Sequence, residues 1–414
     1  MKTMEHCPTC GSSTLEPFYA VANVPVHSVL MLATREEAVN YPTGDIQLAV
    51  CHHCGFITNR AFDGSLQEYS APYEGTQSYS PTFQAFHKDL AERLIARYDL
   101  HEKEIIEIGC GQGEFLILLC ELGQNRGIGF DPAYDNRLPV GMQSDRVTFI
   151  ADFYSEEYTS YHADFVCCKM TLEHIPQTAE FVQRVRRSIG DRLDTKVFFQ
   201  VPNARYVLKD RAFWDVYYEH CSYFDANTLT YLFENAGFQV LETRTEYDDQ
   251  YLVIEAVPVQ GQPAVRHFSP TAVQTLLQMV DAFRQDCQAQ FAAWDRLLAE
   301  WQAVGKRVVI WGGGSKGVAF LTTLQHNAAI GHAVDINPNK HGTFMAGTGH
   351  EIVSPTMLAT YQPDVVIVMN PVYCAEIQRE LDAVGVQARM LAIDEDLNLS
   401  PSAVVAQPEP HLVG

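Results

Sequence analysis

The chain has 414 residues, of which 47% are apolar and 11% aromatic, so it is long enough for two or three domains with well-filled cores. Its 51 acidic residues outnumber 29 basic ones and give a formal charge of −22, which argues against nucleic acid as a partner. No apolar run is long enough to span a bilayer, and the start MKTMEHCPTC lacks the apolar stretch of a secretory signal. We therefore expect a cytoplasmic protein with a small-molecule substrate and no membrane partner.

Residues 1–75 contain two Cys-x-x-Cys pairs among the eleven cysteines of the chain: Cys7, Cys10, Cys51 and Cys54. Four thiolates close a tetrahedral shell and leave no open coordination position, which is typical of a structural zinc site. The alternatives are cysteines without a metal and a redox pair. The pattern predicts a small zinc-binding module of strands and turns.

Residues 76–258 alternate between helical and strand patterns. A helix over SPTFQAFHKDLAERLIARY precedes the strand EIIEIG, and the later strand patterns are RGIGFD, VTFIAD, ADFVCCKM and TKVFFQVPN. This alternation predicts a mainly parallel, doubly wound α/β sheet. The last two patterns, FQVLETRTEY and QYLVIEAVP, are close together and predict an antiparallel hairpin at the sheet edge.

The loop EIGCGQGEF, residues 107–115, follows the first strand of this region and precedes a helix. Its glycines let the backbone approach a ligand at the carboxyl end of the sheet. Asp131 is placed to accept hydrogen bonds from ribose hydroxyls, and Asp152 to accept the exocyclic amine of adenine; the alternative is a tight turn with two strand-end caps. The combination resembles the class I S-adenosylmethionine-dependent methyltransferases. The resemblance implies that S-adenosylmethionine is the cofactor and that the residues binding it are Glu107, Gly109, Gly111, Gly113, Asp131 and Asp152.

Two further segments follow the later strands of this region. MTLEHIP brings His174 to the position that lines the substrate side of a methyltransferase pocket. A long insertion then contains DVYYEHCSYF. The unperturbed pKa of a histidine lies near neutrality, which suits His220 as a general base. A neighbouring carboxylate can orient its ring and favour the charged form. Aromatic packing under a loop and a metal ligand set are the alternatives for this cluster.

Residues 259–269 read as a linker, a long amphipathic helix follows over about 270–304, and a second α/β unit extends to about residue 400. The loop WGGGSKG has glycines at 312, 314 and 317, with Asp335 further on, which is the spacing of a dinucleotide site. Lys316 stands at the start of the next helix and suits an anionic group such as a substrate phosphate.

The order of these parts resembles the sugar C-methyltransferase family: a four-cysteine module, the EIGCGQG core, the YYEHCSYF insertion and a C-terminal Rossmann-like unit. The resemblance implies three domains, 1–75, 76–258 and 270–400, the last acting as lid and substrate wall. It also implies structural zinc and methyl transfer to a carbon next to the ketone of a nucleotide-linked sugar in natural-product biosynthesis.

By the same resemblance His220 is the base, with Tyr217 and Glu219 beside it and His174 as the second histidine of the pocket. The family also uses a tyrosine from the segment before the first helix. Tyr73 and Tyr79 are both open for this role, and we assign Tyr79 to catalysis and Tyr73 to substrate binding.

Other functions remain open from the sequence. One is a different keto acceptor, small or phosphorylated, since the family loop Gly-Ala-Pro-Ala-Lys-Gly is replaced by GGGSKG here. Another is an O- or N-methyltransferase with the same cofactor site. An NAD-dependent oxidoreductase built on the C-terminal glycine loop and a zinc-stabilised binding module with an inactive core are more distant alternatives.

Overall fold

The computed structural model describes residues 4–67, 73–135, 145–261 and 268–395, and its strands form three sheets. Residues 262–267 of the predicted linker and residues 396–400 of the predicted C-terminal domain lie outside the described residues. No helix of the described ranges is long and apolar enough to cross a membrane.

The first sheet is antiparallel and belongs to the N-terminal module. Its elements before residue 60 are β1 (Leu15–Pro25), α1 (Arg35–Val39), β2 (Thr43–Cys51) and β3 (Ile57–Asn59). The strands are joined in the order β1-β2-β3. β1 and β2 are longer than the short strands that the sequence predicts.

The second sheet has seven strands and forms the centre of the molecule. The elements of this part of the chain, in order, are α2 (Pro81–Tyr98), β4 (Glu104–Ile108), α3 (Glu114–Gly123), β5 (Arg126–Phe130), β6 (Val147–Ile150), β7 (Phe165–Lys169), α4 (Thr178–Ile189), β8 (Lys196–Pro202), α5 (Ala204–Lys209), β9 (Ser222–Tyr223), α6 (Ala226–Asn235), β10 (Phe238–Glu246) and β11 (Tyr251–Pro258). All of them except α4, α5 and β9 match segments that the sequence predicts as helix, strand or edge hairpin, and β9 joins the first sheet.

The strand order β10-β11-β8-β7-β4-β5-β6 makes this a parallel sheet with one antiparallel strand, β11, between β8 and β10. Every residue of β7 is buried, because helices cover both faces of a central parallel strand. Ser80 caps α2 by accepting a hydrogen bond from the backbone N–H of Phe83, which explains why that helix begins after SYSP. The carboxyl ends of β4, β5, β7 and β8 therefore lie along one edge, where ligands bind in such sheets.

β9 belongs to the insertion after β8 but joins the N-terminal sheet. It pairs antiparallel with β3, with Ile57 opposite Tyr223 and Thr58 opposite Ser222. The sequence predicts a long loop over this insertion, and the structure instead gives a helix, a strand and a turn that connect two sheets.

The third sheet is parallel and belongs to the C-terminal unit. Its elements are α7 (Pro270–Ala303), β12 (Val308–Trp311), α8 (Ser315–Thr323), β13 (Ile330–Val334), β14 (Ile352–Val353), α9 (Leu358–Tyr361), β15 (Val365–Val368), α10 (Cys374–Ala383) and β16 (Arg389–Ala392). The order β14-β13-β12-β15-β16 is Rossmann-like. The long helix α7 packs on the first sheet, where Phe283 contacts Phe18 and Tyr19 with ring centroids 6.0 and 5.6 Å apart.

Candidate active site

The four cysteines predicted as metal ligands meet at one end of the N-terminal sheet, with one sulfur from each within 4.8 Å of the others: Cys7, Cys10, Cys51 and Cys54. The Cys7–Cys54 and Cys10–Cys51 sulfur separations are both 3.6 Å. A tetrahedral shell with Zn–S bonds of about 2.3 Å has S–S edges of about 3.8 Å. The separations fit that shell and are far too long for disulfide bonds.

A glycine follows each Cys-x-x-Cys pair and completes a matching turn. Gly11 and Gly55 have φ of +74° and +81°, a backbone region that glycine adopts without strain. Their N–H groups donate to the carbonyl oxygens of Cys7 and Cys51, each at 2.8 Å. The sequences CPTCG and CHHCG thus form the same knuckle twice, and the donor set fits a metal with four sulfur ligands.

The glycine loop after β4 has a left-handed backbone at its three glycines. Gly109, Gly111 and Gly113 have φ of +69°, +56° and +88°. A Cβ atom would lie 2.0 Å from Thr171 at Gly109 and 2.2 Å from Phe149 at Gly113, but it would meet nothing within 4 Å at Gly111. The loop is therefore closely packed at both ends and open at Gly111, where a ligand can approach the backbone.

The three acids predicted for the cofactor occupy different environments. Asp131 follows β5 and accepts hydrogen bonds from the N–H groups of Gly111 and Ala133, both at 2.8 Å, so it sits against the open part of the loop. Glu107 is buried, and burial raises its pKa to about 8 against the opposing charge of Lys169. Asp152 is exposed and accepts a hydrogen bond of 2.5 Å from the hydroxyl of Tyr158.

A cavity of about 310 Å³ lies where the carboxyl edges of the second and third sheets face each other. Seven of the predicted site residues line it: Tyr73, Tyr79, His174, Tyr217, Glu219, His220 and Lys316. The cavity adjoins the glycine loop, because Met170 lines it and the next residue, Thr171, contacts Gly109. The structure thus brings the residues of the insertion, of the segment before α2 and of the C-terminal glycine loop to one place.

The backbone around His220 is fixed from two sides. The carbonyl oxygen of Cys221 accepts hydrogen bonds from the Asn59 N–H at 2.9 Å and the Thr58 hydroxyl at 2.8 Å, both on β3. The N–H of Cys221 donates to the Glu173 carbonyl oxygen at 3.0 Å. His220 is held between the N-terminal sheet and the turn after β7.

Three rings and one acid surround the His220 imidazole. The ring centroids of Tyr217, His174 and Tyr223 lie 4.1, 4.9 and 6.3 Å from that of His220. Burial, together with His174 and Lys316, lowers the pKa of His220 well below its ordinary value. The expectation that a carboxylate favours the charged ring is therefore wrong, and His220 is neutral near pH 7.

Glu219 contacts other groups than the sequence predicts. Its carboxylate accepts hydrogen bonds from the N–H and the hydroxyl of Ser28, at 3.1 and 2.5 Å, and lies 3.5 Å from a ring nitrogen of His27. The acid next to the His220 ring is instead Glu173, with 3.9 Å between its Oε1 and the Nε2 of His220. Sequence reasoning missed Glu173, although it precedes His174 in the same motif.

Lys316 is also partnered differently from the prediction. Its ammonium group donates to Asp215 at 2.6 Å and to Gln250 at 3.0 Å, so a carboxylate of the insertion already balances its charge. The structure therefore gives no support to a free cation awaiting a phosphate. Asp215 was not predicted, since no local pattern links it to a helix a hundred residues later.

The two tyrosines before α2 face different parts of the cavity. Tyr73 lines the cavity, and burial, followed by the charges of Glu219 and Asp131, raises the pKa of its hydroxyl. The hydroxyl of Tyr79 accepts a hydrogen bond of 3.3 Å from Asn339 at the C-terminal wall. Both tyrosines line the cavity, so the roles assigned from the sequence, Tyr79 in catalysis and Tyr73 in substrate binding, stay predictions.

Comparison with known proteins agrees with these features. A methyltransferase domain family matches residues 83–243, and a C-methyltransferase C-terminal domain family matches residues 269–391. The C-methyltransferase NovU of Streptomyces niveus is 25% identical over 398 residues, which cover 91% of this chain and 92% of that protein.

Two solved structures show partial similarity to the chain. Magnesium protoporphyrin IX methyltransferase of Synechocystis PCC 6803, with bound S-adenosylhomocysteine, is 16% identical and covers 43% of this chain and 84% of its own, with a TM-score of 0.34. The PH0226 protein of Pyrococcus horikoshii is also 16% identical and covers 44% of this chain and 94% of its own, with a TM-score of 0.37.

The seven-stranded sheet, the glycine loop and the domain match define an S-adenosylmethionine-dependent methyltransferase of class I. With the second domain match and the similarity to NovU over 91% of its length, the chain is similar to C-methyltransferases that join such a core to this C-terminal domain.

Proposed function

We propose that the protein methylates a carbon next to a ketone, in a nucleotide-linked keto-deoxysugar or another keto metabolite of natural-product biosynthesis, with His220 as the base. The observation that carries this proposal is a neutral, buried histidine in a cavity that adjoins the cofactor loop. A neutral imidazole can accept a proton, whereas a charged one cannot.

The cofactor would be held by the loop and acids that follow β4, β5 and β6: Glu107, Gly109, Gly111, Gly113, Asp131 and Asp152. S-Adenosylmethionine, when bound, supplies a methyl group activated by a sulfonium. Gly111 leaves room for it, and each oxygen of Asp131 keeps a second lone pair for a ribose hydroxyl.

The residues around His220 would carry the proton transfer. An α-proton is weakly acidic, so the charge that develops on the ketone oxygen needs hydrogen-bond donors in place. Tyr217 and Tyr73 are hydroxyl donors whose pKa is raised, so they stay protonated in alkaline solution. His174, whose ring centroid lies 4.9 Å from that of His220, would serve as a further polar group of the cavity wall.

The cofactor part of the proposal is tested by calorimetry with S-adenosylhomocysteine. Gly111→Arg fills the open side of the loop, so we expect it to abolish binding, while Gln302→Arg on the exposed end of α7 adds the same charge without effect. Absence of binding to the unmodified protein contradicts the assigned cofactor site.

The acceptor part is tested with nucleotide-linked keto-deoxysugars in deuterium oxide. We expect exchange of the α-proton and a product methylated at carbon. The rates of both exchange and methylation should fall about 10²–10⁴-fold in His220→Ala, which is the range for loss of a general base. A product methylated at oxygen or nitrogen would show that His220 deprotonates a heteroatom instead.

We also propose that Cys7, Cys10, Cys51 and Cys54 bind one structural zinc ion. The support is the sulfur geometry and the repeated glycine knuckle. We expect metal analysis to find about one zinc per chain, lost in Cys51→Ser and retained in Cys287→Ser, which removes a buried thiol of α7. Equal zinc content in all three proteins contradicts the proposal.

A further inference from the structure

Glu173 is a buried acid of the cavity wall that the proposed roles leave unexplained. It lies in the turn between β7 and α4, lines the cavity and is 1% exposed. Within the described residues neither oxygen of its side chain has a hydrogen-bond partner. His220 is the one basic side chain of those ranges at ion-pair distance from it, and that ring is neutral.

An acid in this setting is stable in its neutral form. Burial of an ionised carboxylate without donors costs far more than burial of the protonated acid. Burial raises the pKa of Glu173 to about 8, so the carboxyl group carries a proton at pH 7. A neutral carboxylic acid, unlike a carboxylate, is a hydrogen-bond donor.

The distance to His220 suits a group that bridges a carbon and its neighbouring carbonyl oxygen. Glu173 Oε1 and His220 Nε2 are 3.9 Å apart. In a ketone the α-carbon and the oxygen are about 2.4 Å apart, from bond lengths of about 1.5 and 1.2 Å. A ketone can therefore fit between the two side chains, with its α-carbon about 3.2 Å from Nε2 and its oxygen about 2.7 Å from Oε1.

We propose that Glu173 is a catalytic carboxylic acid that donates a hydrogen bond to the acceptor's ketone oxygen while His220 removes the adjacent proton. The inference rests on the proposed carbon methylation. It assigns a residue that neither the motif nor the comparisons identify.

The α C–H bond breaks, its proton forms a bond with Nε2 of His220, and the electron pair moves to the ketone oxygen. Glu173 keeps its own proton and stabilises that oxygen through the O–H. The α-carbon then forms a bond to the methyl carbon, the thioether leaves, the carbonyl group is restored, and His220 releases one proton to solvent.

A metal ligand set is the competing interpretation, because one ligand atom each from Glu173, His174 and His220 lies within 4.8 Å of the others. Ligands about 2.1 Å from one ion are about 3.0–3.4 Å apart when they are neighbours in its shell. The 3.9 Å between Glu173 and His220 is longer than that. The geometry favours a space for a substrate group over a closed ion site.

The test compares Glu173→Gln with Glu173→Met in methyl transfer to the keto-deoxysugar nucleotide, with folding of both variants checked by circular dichroism. The carboxamide still donates an N–H, so we expect Gln to retain activity within about tenfold. The thioether cannot donate, so we expect Met to lose about 10²–10³-fold, as removal of one donor to an oxyanion does. Equal losses in both variants would show that a carboxylate is required and would overturn the proposal.

The pH profile gives a second readout. Transfer by the unmodified protein should fall above about pH 8 as Glu173 ionises, and this alkaline limb should be absent in Glu173→Gln. The other titratable groups around Glu173 come from β7 and the turn after it, β11, the segment before α2 and the insertion: Cys168, His174, Tyr251, Tyr73, Tyr217, His220 and Cys221. An alkaline limb that is unchanged in Glu173→Gln belongs to one of these and contradicts the assignment.

Infrared difference spectra of the unmodified protein against Glu173→Gln need no acceptor. We expect the carbonyl band of a protonated acid at pH 6 and carboxylate bands at pH 9.5. Carboxylate bands at pH 6 would overturn the proposal. A second metal ion per chain that is lost in Glu173→Gln would also overturn it. If the unmodified protein methylates oxygen or nitrogen only, the proposed function itself fails. If it methylates carbon and the two variants lose equally, Glu173 alone is wrongly assigned.

Discussion

Glu173 should make the stability of the protein depend on pH, whatever the acceptor is. Its pKa is raised from an ordinary value of 4.5 to about 8 by burial, so the unfolded chain releases this proton before the folded one does. The stabilising contribution of the neutral form is complete below about pH 4.5. It is lost as the pH rises towards 8 and is constant above that.

The size of the effect follows from the two pKa values. Each unit of difference corresponds to about 1.4 kcal/mol, so the free energy of unfolding should fall by about 4 kcal/mol between pH 5 and pH 9 through this group alone. Glu173→Gln has no proton to lose and should not show this part of the decrease. The variant should thus become more stable than the unmodified protein as the pH rises, although its amide is equally unpartnered.

The assay is urea unfolding followed by circular dichroism at several pH values for the unmodified protein, Glu173→Gln and Glu300→Gln. Glu300 is exposed on α7, so its substitution should leave the pH dependence of unfolding unchanged. The reasoning is refuted if the difference between the unmodified protein and Glu173→Gln is the same at pH 5 and pH 9, because Glu173 would then be ionised in the folded state throughout.

Two further substitutions test the packing and the charges around the insertion. A Cβ atom at Gly44 would lie 2.3 Å from the ring of Tyr218, so Gly44→Ala should lower the free energy of unfolding by about 1–3 kcal/mol in urea titrations, whereas Gly64→Ala, which makes ordinary contacts, should change it little. Asp215→Asn removes the partner of the Lys316 ammonium group, so binding of inorganic pyrophosphate should tighten by about tenfold in calorimetry and weaken with salt; no gain over the unmodified protein would show that Lys316 is not an anion site even when freed.

Local patterns predicted the parts of this molecule whose chemistry is set by neighbours in sequence. The sequence EIGCGQG predicts a glycine loop between a strand and a helix, and the structure has that loop, with a left-handed backbone at Gly109, Gly111 and Gly113. The Cys-x-x-Cys pairs also meet, because each knuckle is local and β1 and β2 are paired along their length. Within the glycine loop and within each cysteine knuckle, the residues that matter lie within a few positions of one another.

The errors concern charges whose partners are distant in sequence. Glu219 is next to His220 in the chain, but its carboxylate binds Ser28, 191 positions away. Lys316 has the position of an anion-binding lysine, but Asp215 reaches it across the domain boundary. Side-chain direction in an insertion is set by tertiary contacts, so adjacency in sequence does not show which carboxylate faces a histidine.

The pairing of β9 with β3 explains why a small cysteine module accompanies a methyltransferase core. The segment YYEHCSYF carries His220 between Tyr218, whose hydroxyl accepts a hydrogen bond from the N–H of Asp63, and Tyr223, which pairs with Ile57. Ile57 lies three residues after Cys54 of the second knuckle. The module therefore supplies β3 as the strand that holds β9 and so fixes the position of the base. An insertion of this length would otherwise have many conformations. Loosening of the cysteine cluster is thus expected to shift His220 relative to the cofactor loop.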